Sequence, residues 1–428
     1  MNGAQGTTGA TGTTTSTTGP TGTIYLDHQA TTPTDPVVAA AMQRAATEFF
    51  ANPSSPHAAG IRAFREVERA RGTVARFLGA ARSEIYFTSG ATEGNNLAIK
   101  GVVLGGAGAV PPRHVVTTAV EHKSVLDTCR SLTAAGHEVT VVPVDGAGRV
   151  DPARVAAALR PDTALVSVML ANNEIATVQP VAEIAALTRA AGVPLHCDAT
   201  QGVGTLPVDV AELGVDLLTC SGHKIHGPKG IGVLYVANAL SDRAPLAPLL
   251  HGGGQERGLR AGTVNTAAVV GLAAAVELLA AGRADEAERL AGLRARFLAE
   301  LAELVPYTLN SGTGAGFLPH AVSLSFPDTD AQTLLLEVTE VAVSSGSACN
   351  SSAQEPSHVL TAIGLPPERV RGSVRIGFGR FSTEADAVRG ARALAAGVRA
   401  ANPGLAAGRA PAPMGRVPAQ APAGARTA

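Results

Sequence analysis

The chain has 428 residues, 45% of them hydrophobic, and a formal net charge of −1 with histidines neutral. A chain of this length can bury one or two large cores, which predicts a globular protein of two domains. So small a net charge gives no long-range field that would attract nucleic acid, so we expect no direct nucleic-acid binding. No apolar run approaches the roughly 20 residues that a membrane span needs, so no membrane association is predicted.

Both ends of the chain have a composition typical of disorder. Residues 1–22 are mostly Thr, Gly, Ala and Ser, and residues 401–428 are mostly Pro, Ala, Gly and Arg. Such segments bury too little apolar surface to offset chain entropy, so both are predicted to be disordered tails. The first tail has no apolar stretch, and no Lys or Arg precedes Arg44. We therefore expect no secretory signal or transit peptide, and a cytoplasmic location.

Short β-branched runs alternate with helical segments between residues 84 and 235. The candidate strands are EIYFTS, HVVTTA, EVTVVPV, ALVSVML, PLHCDA, DLLTCS and GVLYV. Helices are predicted to begin near Thr92, Ser124, Asp151, Pro180 and Ala211. This alternation predicts an α/β fold whose mostly parallel seven-stranded sheet is covered on both faces. Ligands of such sheets bind at the carboxyl ends of the strands.

The pattern changes after residue 268. Residues 269–305 are rich in Ala, Leu, Arg and Glu at helical spacing, which predicts a long connecting helix. The apolar runs AVSLSF, VAVSSGSA and SVRIGFGRF follow, with a helix near Ser357. These elements predict a smaller α+β domain.

The four cysteines have two kinds of surroundings. Cys197 and Cys220 lie in apolar runs and are predicted to be buried and inert, and no pair of cysteines has CxxC spacing. Cys349 lies in SSGSACNSSAQEPS, which has no apolar anchor after Val343 and reads as an exposed, mobile loop. A free thiol on such a loop is a candidate reactive group, although an ordinary surface cysteine would fit the same pattern.

Lys224 is one of only four lysines and lies in the segment SGHKIHGPKG, directly after the apolar run DLLTC. A lysine in a Gly-rich turn after a buried strand suits an amine that forms a Schiff base. A surface turn with two solvated lysines, Lys224 and Lys229, is the alternative.

Asp198 ends the apolar run of LHCDATQ, where a carboxylate is costly to bury without a partner. A protonated pyridine nitrogen would be such a partner, and a cap for the next segment is the alternative. Because Lys224 lies one strand further along, the cofactor interpretation is favoured.

The segment SGATEGNN, residues 89–96, joins a strand to a helix. Its glycines, hydroxyls and free helix amides would form a phosphate cradle, to which Ser221 and His223 could add donors. Capping of the helix would explain Thr92 equally well.

Two further side chains stand out by their positions in predicted strands. His122 closes a strand in VEHKSV, where a lone histidine is more often structural than catalytic. Arg375 lies mid-strand among apolar neighbours in GSVRIGFGRF. Its guanidinium requires a carboxylate, from either the protein or an amino-acid substrate.

Together these segments resemble the NifS/IscS-type cysteine desulfurases of the class V aminotransferase family. The resemblance runs from Tyr25 to Thr383 and includes NPSSPH, ATEGNN, VEHKSV, LANNEIAT, DATQG, SGHKIHGPKG, GGGQERGLRAGT and SSGSACNSS. Ala176 stands where the family usually has Gly, and Val264 where Leu or Pro is familiar. The resemblance implies the fold of the PLP-dependent transferases, similar to aspartate aminotransferase. It implies a large PLP-binding domain of residues 37–267 and a small domain of residues 23–36 and 268–400.

The resemblance also implies roles for the matching positions and the cofactor pyridoxal 5′-phosphate (PLP). In the catalytic group, Lys224 would hold PLP as a Schiff base, His122 would stack on the ring and move protons, and Cys349 would attack the substrate sulfur. The other residues would bind the pyridine nitrogen (Asp198), the ring hydroxyl (Gln201), the ring or substrate (Asn173), the phosphate (Ala91, Thr92, Ser221, His223, and Thr263 from a partner subunit) and the substrate carboxylate (Arg375, Asn52). No metal site is implied, apart from an iron–sulfur contact through Cys349.

The implied function is conversion of L-cysteine to L-alanine, with sulfur carried as a persulfide on Cys349 to an acceptor protein. The sulfur would serve iron–sulfur clusters, or thiolation of cofactors or nucleic acids, and the enzyme would be a homodimer. A selenocysteine lyase or another PLP-dependent β-lyase is the first alternative. A non-catalytic sulfur carrier or scaffold is the second.

Overall fold

The computed structural model describes residues 22–105, 111, 113–243, 245–345 and 356–404. Nearly all of the two predicted tails, and Cys349 with most of its predicted loop, lie outside these described residues.

The described residues form strands and helices in alternation over most of their length. The strands are β1 (Ile24–Tyr25), β2 (Ile85–Thr88), β3 (His114–Thr118), β4 (Glu138–Val142), β5 (Thr163–Ser167), β6 (Leu195–Asp198), β7 (Leu217–Ser221), β8 (Gly232–Val236), β9 (Thr308–Leu309), β10 (Ala321–Ser325), β11 (Val341–Ala342), β12 (Ser344–Ser345) and β13 (Ser373–Gly377). The helices are α1 (Pro36–Glu48), α2 (Ala58–Leu78), α3 (Ala91–Leu104), α4 (Lys123–Ala134), α5 (Pro152–Ala157), α6 (Val181–Ala190), α7 (Val210–Leu213), α8 (Asn238–Arg243), α9 (Thr266–Ala302), α10 (Ala331–Glu337), α11 (His358–Ala362), α12 (Pro367–Arg371) and α13 (Glu384–Ala401).

A seven-stranded sheet in the order β2-β8-β7-β6-β5-β3-β4 confirms the predicted architecture. Strand β8 runs antiparallel to both of its neighbours, and the remaining pairs are parallel. Successive residues of a strand point to opposite faces of the sheet, and apolar clusters cover both faces. In β7, Leu217 packs into the apolar cluster formed with α3 and α4, whereas Leu218 packs into the cluster formed with α2 and α9.

The polar segments of the sequence lie at the carboxyl edge of this sheet. Gly90 follows β2, His122 follows β3 by a short turn, Asp198 ends β6, and Lys224 follows β7 in a single 3₁₀ turn, residues 222–224. Parallel strands bring these ends to one edge, which is where an open α/β sheet binds its ligands.

A second layer is built on an antiparallel sheet in the order β12-β13-β10-β9, and β1 pairs with β11 in a short parallel pair. Its apolar cluster takes Phe297 and Leu301 from the second half of α9, and Leu394 and Val398 from α13. The first half of α9 packs into the main cluster, and the helix is kinked at Gly282 (φ −150°, ψ 22°). The predicted long helix is therefore present and connects two cores, although the exact domain boundaries stay a prediction.

Within the described residues, α9 is also the one helix long and apolar enough to cross a membrane by length and composition. Half of its most apolar stretch is buried inside the protein, where the helix packs against α1, α2 and α13. A helix that joins two cores meets the same criterion, so α9 gives no support for a membrane span.

Leu394→Ala in α13 should lower the free energy of unfolding by about 2–5 kcal/mol, because the side chain is fully buried and its removal leaves a cavity. Urea denaturation followed by circular dichroism would measure the change. Leu336→Ala in α10 is the matched control, since that leucine is 81% exposed and its removal should change stability by under about 0.5 kcal/mol. Equal losses in the two variants would contradict the assignment of the second core.

Candidate functional site

Lys224 lies at the end of a turn that only glycine permits at its first position. A Cβ on Gly222 would lie 2.9 Å from the carbonyl oxygen of Pro228. The Lys224 Nζ donates hydrogen bonds to the carbonyl oxygens of Ala30, at 2.9 Å, and of Gln29. The Gln201 Nε2 donates to the same Gln29 carbonyl at 3.1 Å, so the Lys224 and Gln201 side chains meet at one point of the backbone.

Asp198 is 5% exposed and is held by two donors. Its Oδ1 accepts a hydrogen bond from the Thr200 backbone N–H at 3.0 Å, and its Oδ2 accepts one from the Asn95 Nδ2 at 2.7 Å. The Asn95 amide also donates to the Ser124 Oγ at 2.9 Å and accepts from the Thr219 hydroxyl. The alternative interpretation of Asp198 as a cap for the following segment is confirmed by the Thr200 contact. Its pairing with a pyridine nitrogen stays a prediction.

Asn95 was not predicted as a site residue. In the sequence it is one of two adjacent asparagines at the start of a helix. Only the side-by-side placement of α3 and β6 brings it beneath Asp198. Asn95 is fully buried on a helix face that is otherwise apolar. A polar residue at an apolar position of the helical repeat would have been the signal in the sequence, but the two adjacent asparagines lie too close to the start of the helix for the repeat to show which one is buried.

His122 caps the N-terminus of α4 and is neutral at physiological pH. Its Nδ1 accepts a hydrogen bond from the Ser124 backbone N–H at 3.1 Å and contacts the Ser124 Oγ at 2.8 Å, which leaves the ring proton on Nε2. Burial lowers the pKa of His122, and the charge of Lys224 lowers it further, against an opposing effect of Asp198. The ring therefore lies within electrostatic reach of both Lys224 and Asp198.

The turn before α3 presents free backbone donors. Gly90 is the N-cap, has a positive φ of 153°, and supplies no side-chain cap to the helix that begins at Ala91. The amides of the first helical turn therefore lack intrahelical partners. Because Gly90 rather than Thr92 occupies the cap position, the capping interpretation of Thr92 is wrong. The Ser221 hydroxyl lies beside this turn, 3.7 Å from where a Cβ of Gly90 would stand.

A cavity of about 300 Å³ opens beside this turn, between α3 and α4, and its lining includes Thr92, His122 and Ser124. A somewhat larger cavity, of about 340 Å³, lies between α6, α7 and β8, and its lining includes none of the predicted site residues. His223 contacts the Thr31 Oγ1 at 3.1 Å, and burial together with Lys224 and Lys229 lowers the pKa of its imidazole to about 4.

Arg375 is 2% exposed and pairs with a carboxylate of the protein. Its Nη2 lies 2.8 Å from the Asp27 Oδ1, and its Nη1 donates to the carbonyl oxygen of Asn173 at 3.2 Å. The Nε is buried and has no hydrogen-bond partner among the described residues. Asp27 therefore supplies the carboxylate that Arg375 requires, and the Nε of the guanidinium remains without a partner among the described residues.

The remaining predicted residues lie apart from this cluster or outside the described residues. Asn52 is exposed, its side chain caps the Ser54 backbone N–H at 2.9 Å, and no contact of the described residues joins it to Arg375. Thr263 is exposed in the segment before α9. Cys197 and Cys220 are buried as predicted, and burial raises the pKa of the Cys220 thiol to about 12.

The described residues on either side of Cys349 are fixed next to Arg375 and Asn173. On the N-terminal side, Ser344 pairs with Arg375 across β12 and β13, and its hydroxyl donates to the Asp27 Oδ2 at 2.6 Å. On the C-terminal side, the Ser357 hydroxyl donates to the Glu174 Oε2 at 2.5 Å. The chain thus leaves the described structure beside Arg375 and rejoins it beside Glu174, the residue after Asn173.

These groups fit PLP. The cofactor requires an amine, an acid for its pyridine nitrogen and donors for its phosphate. Lys224, the buried Asp198 and the free amides of α3 supply these three at one edge of the sheet. The buried Thr200 Oγ1 and the Gln29 side-chain amide have no hydrogen-bond partners among the described residues. Polar groups beside Lys224 and Asp198 are therefore available to bind a ligand.

Comparisons with known proteins agree with this chemistry. The family model described as aminotransferase class-V matches residues 24–389. A mitochondrial cysteine desulfurase of Arthroderma benhamiae is 46% identical over 364 residues, which cover 85% of this chain and 72% of that protein. A solved NifS-like protein superimposes with a TM-score of 0.80 at 36% identity, covering 87% of this chain and 98% of that one. The structure described as SspA in complex with cysteine gives a TM-score of 0.74 at 36% identity, covering 84% and 99%.

The chain belongs to the aminotransferase class-V family. The predicted fold and PLP dependence are thereby confirmed, and so is the resemblance to the cysteine desulfurases, since the named relatives carry that activity or the NifS-like fold.

A fully buried carboxyl, Glu121, precedes His122. Its Oε1 accepts hydrogen bonds from the Thr118 hydroxyl at 2.7 Å and the Met169 N–H at 3.0 Å, and its Oε2 has no partner among the described residues. Burial raises the pKa of Glu121 to about 8, although these two bonds oppose the effect. Glu121 therefore carries a proton at neutral pH.

Glu121→Gln should gain stability relative to the wild type as pH rises from about 4.5 to 8. The unfolded Glu121 loses its proton near its ordinary pKa while the folded one keeps it, so the wild type loses stability across that window. The neutral amide has no such dependence. Urea unfolding of both proteins at pH 5 and pH 8.5 would measure the difference, with the exposed Glu48→Gln as control. A difference that does not change with pH would show that Glu121 is ionised when folded.

Proposed function

We propose that the chain is a PLP-dependent cysteine desulfurase. It takes the sulfur of L-cysteine as a persulfide on Cys349, releases L-alanine and passes the sulfur to an acceptor protein. The observation that carries the proposal is the convergence of Lys224, Asp198 and the N-terminus of α3 at one sheet edge, in a chain of the cysteine desulfurase family.

The cofactor site uses groups from the ends of three strands, β2, β6 and β7. Lys224 would bind the cofactor covalently. Asp198 would keep a proton on the pyridine nitrogen, because its carboxylate is fixed by Asn95 and Thr200 and neither of these donors carries a positive charge. Gln201 would bind the ring hydroxyl. The phosphate would be bound by the amides of Ala91 and Thr92, the hydroxyl of Ser221, His223, and Thr263 of a partner subunit. When bound, PLP supplies an electron sink for the substrate Cα.

Proton movement falls to Lys224 and His122. The Lys224 amine, displaced by the substrate, would remove the α-proton of L-cysteine at its Nζ. Two backbone carbonyls fix this amine at the turn, which would position it for the proton transfer. The neutral His122, with its proton on Nε2, can donate or accept a proton in the same space.

Substrate binding and sulfur transfer involve Arg375 and Cys349. The unpaired Arg375 Nε suits a substrate carboxylate, and Asn173 lies against the same guanidinium. Asn52 stays a proposed helper for this carboxylate. The Cys349 thiolate would attack the substrate sulfur, and the C–S bonding pair would remain on the β-carbon, which takes a proton to become the methyl group of L-alanine.

We propose a homodimer, since Thr263, the phosphate ligand that the family resemblance implies, is exposed, and no contact among the described residues joins its side chain to the phosphate turn of its own subunit. Exposed apolar side chains near the start of α2 support this, because Phe50 is 78%, Phe64 50% and Ile61 42% exposed. A cytoplasmic location is proposed from the sequence, although the Arthroderma relative is mitochondrial.

Lys224→Ala should abolish both the visible absorbance band that forms when PLP is added and the turnover of L-cysteine. Lys229→Ala is the matched control, because that lysine lies five residues further along the same segment and is exposed. It should bind PLP and turn over normally. A Lys224→Ala protein with the visible band and full turnover would overturn the proposed function.

Cys349→Ser should keep the absorbance band of bound PLP and still bind L-cysteine, because Lys224, Asp198 and the phosphate turn are untouched. Production of L-alanine should fall at least about a hundredfold, since a hydroxyl is a far weaker nucleophile and cannot carry sulfur. Cys129→Ser, at a buried thiol, is the control. Unchanged alanine production would overturn the role of Cys349, whereas release of free sulfide with pyruvate and ammonia in place of L-alanine would identify a β-lyase.

A further inference from the structure

The segment of residues 252–263 follows the main sheet and is held in an unfavourable backbone conformation. Glu256 and Arg257 both have positive φ, 46° and 55°, although neither is glycine. Strain of this kind is retained only where surrounding contacts fix the backbone. The segment ends at Thr263, which we have assigned to the phosphate site of a partner subunit.

A buried ion pair fixes the start of this segment. The Glu256 carboxylate accepts two hydrogen bonds from the Arg71 guanidinium of α2, at 2.7 and 2.9 Å. Its Oε2 also accepts the Phe87 backbone N–H of β2 at 2.7 Å. Both side chains of the pair are under 5% exposed, and a buried bidentate pair with satisfied oxygens is geometrically strict.

A second ion pair joins the end of the segment to the phosphate turn of the same subunit. The Arg260 Nε donates to the Glu93 Oε1 at 2.8 Å, and the Glu93 Oε2 accepts the Ser89 backbone N–H at 2.8 Å. Glu93 is the acidic residue of the first turn of α3, directly after Thr92. The side chains of Arg260 and Glu93 are only 24% and 14% exposed, so water screens the pair weakly.

Glu93 is ionised in this setting. Burial raises the pKa of its carboxyl, but the hydrogen bonds from Arg260 and Ser89 outweigh burial and leave the pKa below its usual value. An uncompensated carboxylate in the first turn would oppose a phosphate dianion at the same helix N-terminus, where the helix dipole otherwise favours anions. Something must therefore neutralise Glu93 for this turn to serve as an anion site.

We propose that Arg260 is a positioning residue for phosphate. By pairing with Glu93 it neutralises the carboxylate of the phosphate turn, and it holds the segment that ends at Thr263 against that turn. The proposal rests on the proposed PLP function. It deepens that function by linking the phosphate turn of one subunit to the segment that would complete the site of its partner.

The test compares binding of PLP with binding of pyridoxal, which lacks the phosphate, to the apoprotein, followed by the visible absorbance band. Arg260→Gln should raise the Kd for PLP roughly tenfold, equivalent to ~1.4 kcal/mol, while the Kd for pyridoxal changes less than about twofold. Glu93→Gln keeps an acceptor for Ser89 but removes the charge, so its Kd for PLP should stay equal or fall. The double variant should bind PLP more tightly than Arg260→Gln alone.

Two further variants separate charge from structure. Arg260→Lys keeps the positive charge and should stay within about threefold of the wild type in PLP affinity, so it tests the proposal even where Arg260→Gln folds poorly. Arg69→Gln breaks an exposed ion pair with Glu66 on α2 and should leave both affinities unchanged.

Equal weakening of PLP and pyridoxal by Arg260→Gln, or no weakening of either, would overturn the role of the ion pair. So would a loss of PLP affinity in Glu93→Gln as large as that in Arg260→Gln. A wild-type protein that forms no visible band with PLP would instead refute the proposed function itself, which the wild type alone reveals before any variant is compared.

Discussion

The carboxylate of Asp198, buried at the carboxyl end of β6, constrains the arrangement of the whole site. A buried charge is stable only where donors are fixed around it, and here the donors are Thr200 of the following turn and Asn95 of α3. Asn95 in turn is held by Ser124 and Thr219, from α4 and β7. Four neighbouring elements are therefore held in position by the requirements of one acidic group.

Two buried carboxyl groups at this sheet edge have different surroundings. Both oxygens of Asp198 accept hydrogen bonds, whereas Glu121 leaves one oxygen unpartnered among the described residues and has a pKa raised by burial to about 8. His122, directly after Glu121 in the chain, has a pKa lowered by burial. The site thus places a hydrogen-bonded carboxylate group, a protonated carboxyl group and a neutral imidazole at one edge of the sheet.

Much of the large sheet could be predicted from the sequence, because β-branched runs bounded by polar turns mark both the strands and their carboxyl ends. The helices α1, α2 and α13 were not predicted, since they lie outside the region of strand–helix alternation and their apolar residues are mostly alanine and valine. The demand of Arg375 for a carboxylate was foreseen, but not that Asp27 supplies it. These two residues are 348 positions apart, and the bridge that Asp27 forms with Gly377, at the end of β13, brings them together. For the same reason the carbonyls of Gln29 and Ala30, which hold Lys224, carry no signal in the sequence.

Ala176 adopts a left-handed conformation, with φ 63°, in the buried turn that also carries Asn173. An L-residue pays about 1–2 kcal/mol for that conformation, and β-branched side chains pay more. The range of residues tolerated at this position should therefore be narrow, with glycine and asparagine accepted and valine or isoleucine rejected. A mutational scan would then show that position 176 tolerates few substitutions, although its methyl group performs no chemistry. The cause would be the backbone angle of a turn whose Asn173 carbonyl accepts a hydrogen bond from Arg375.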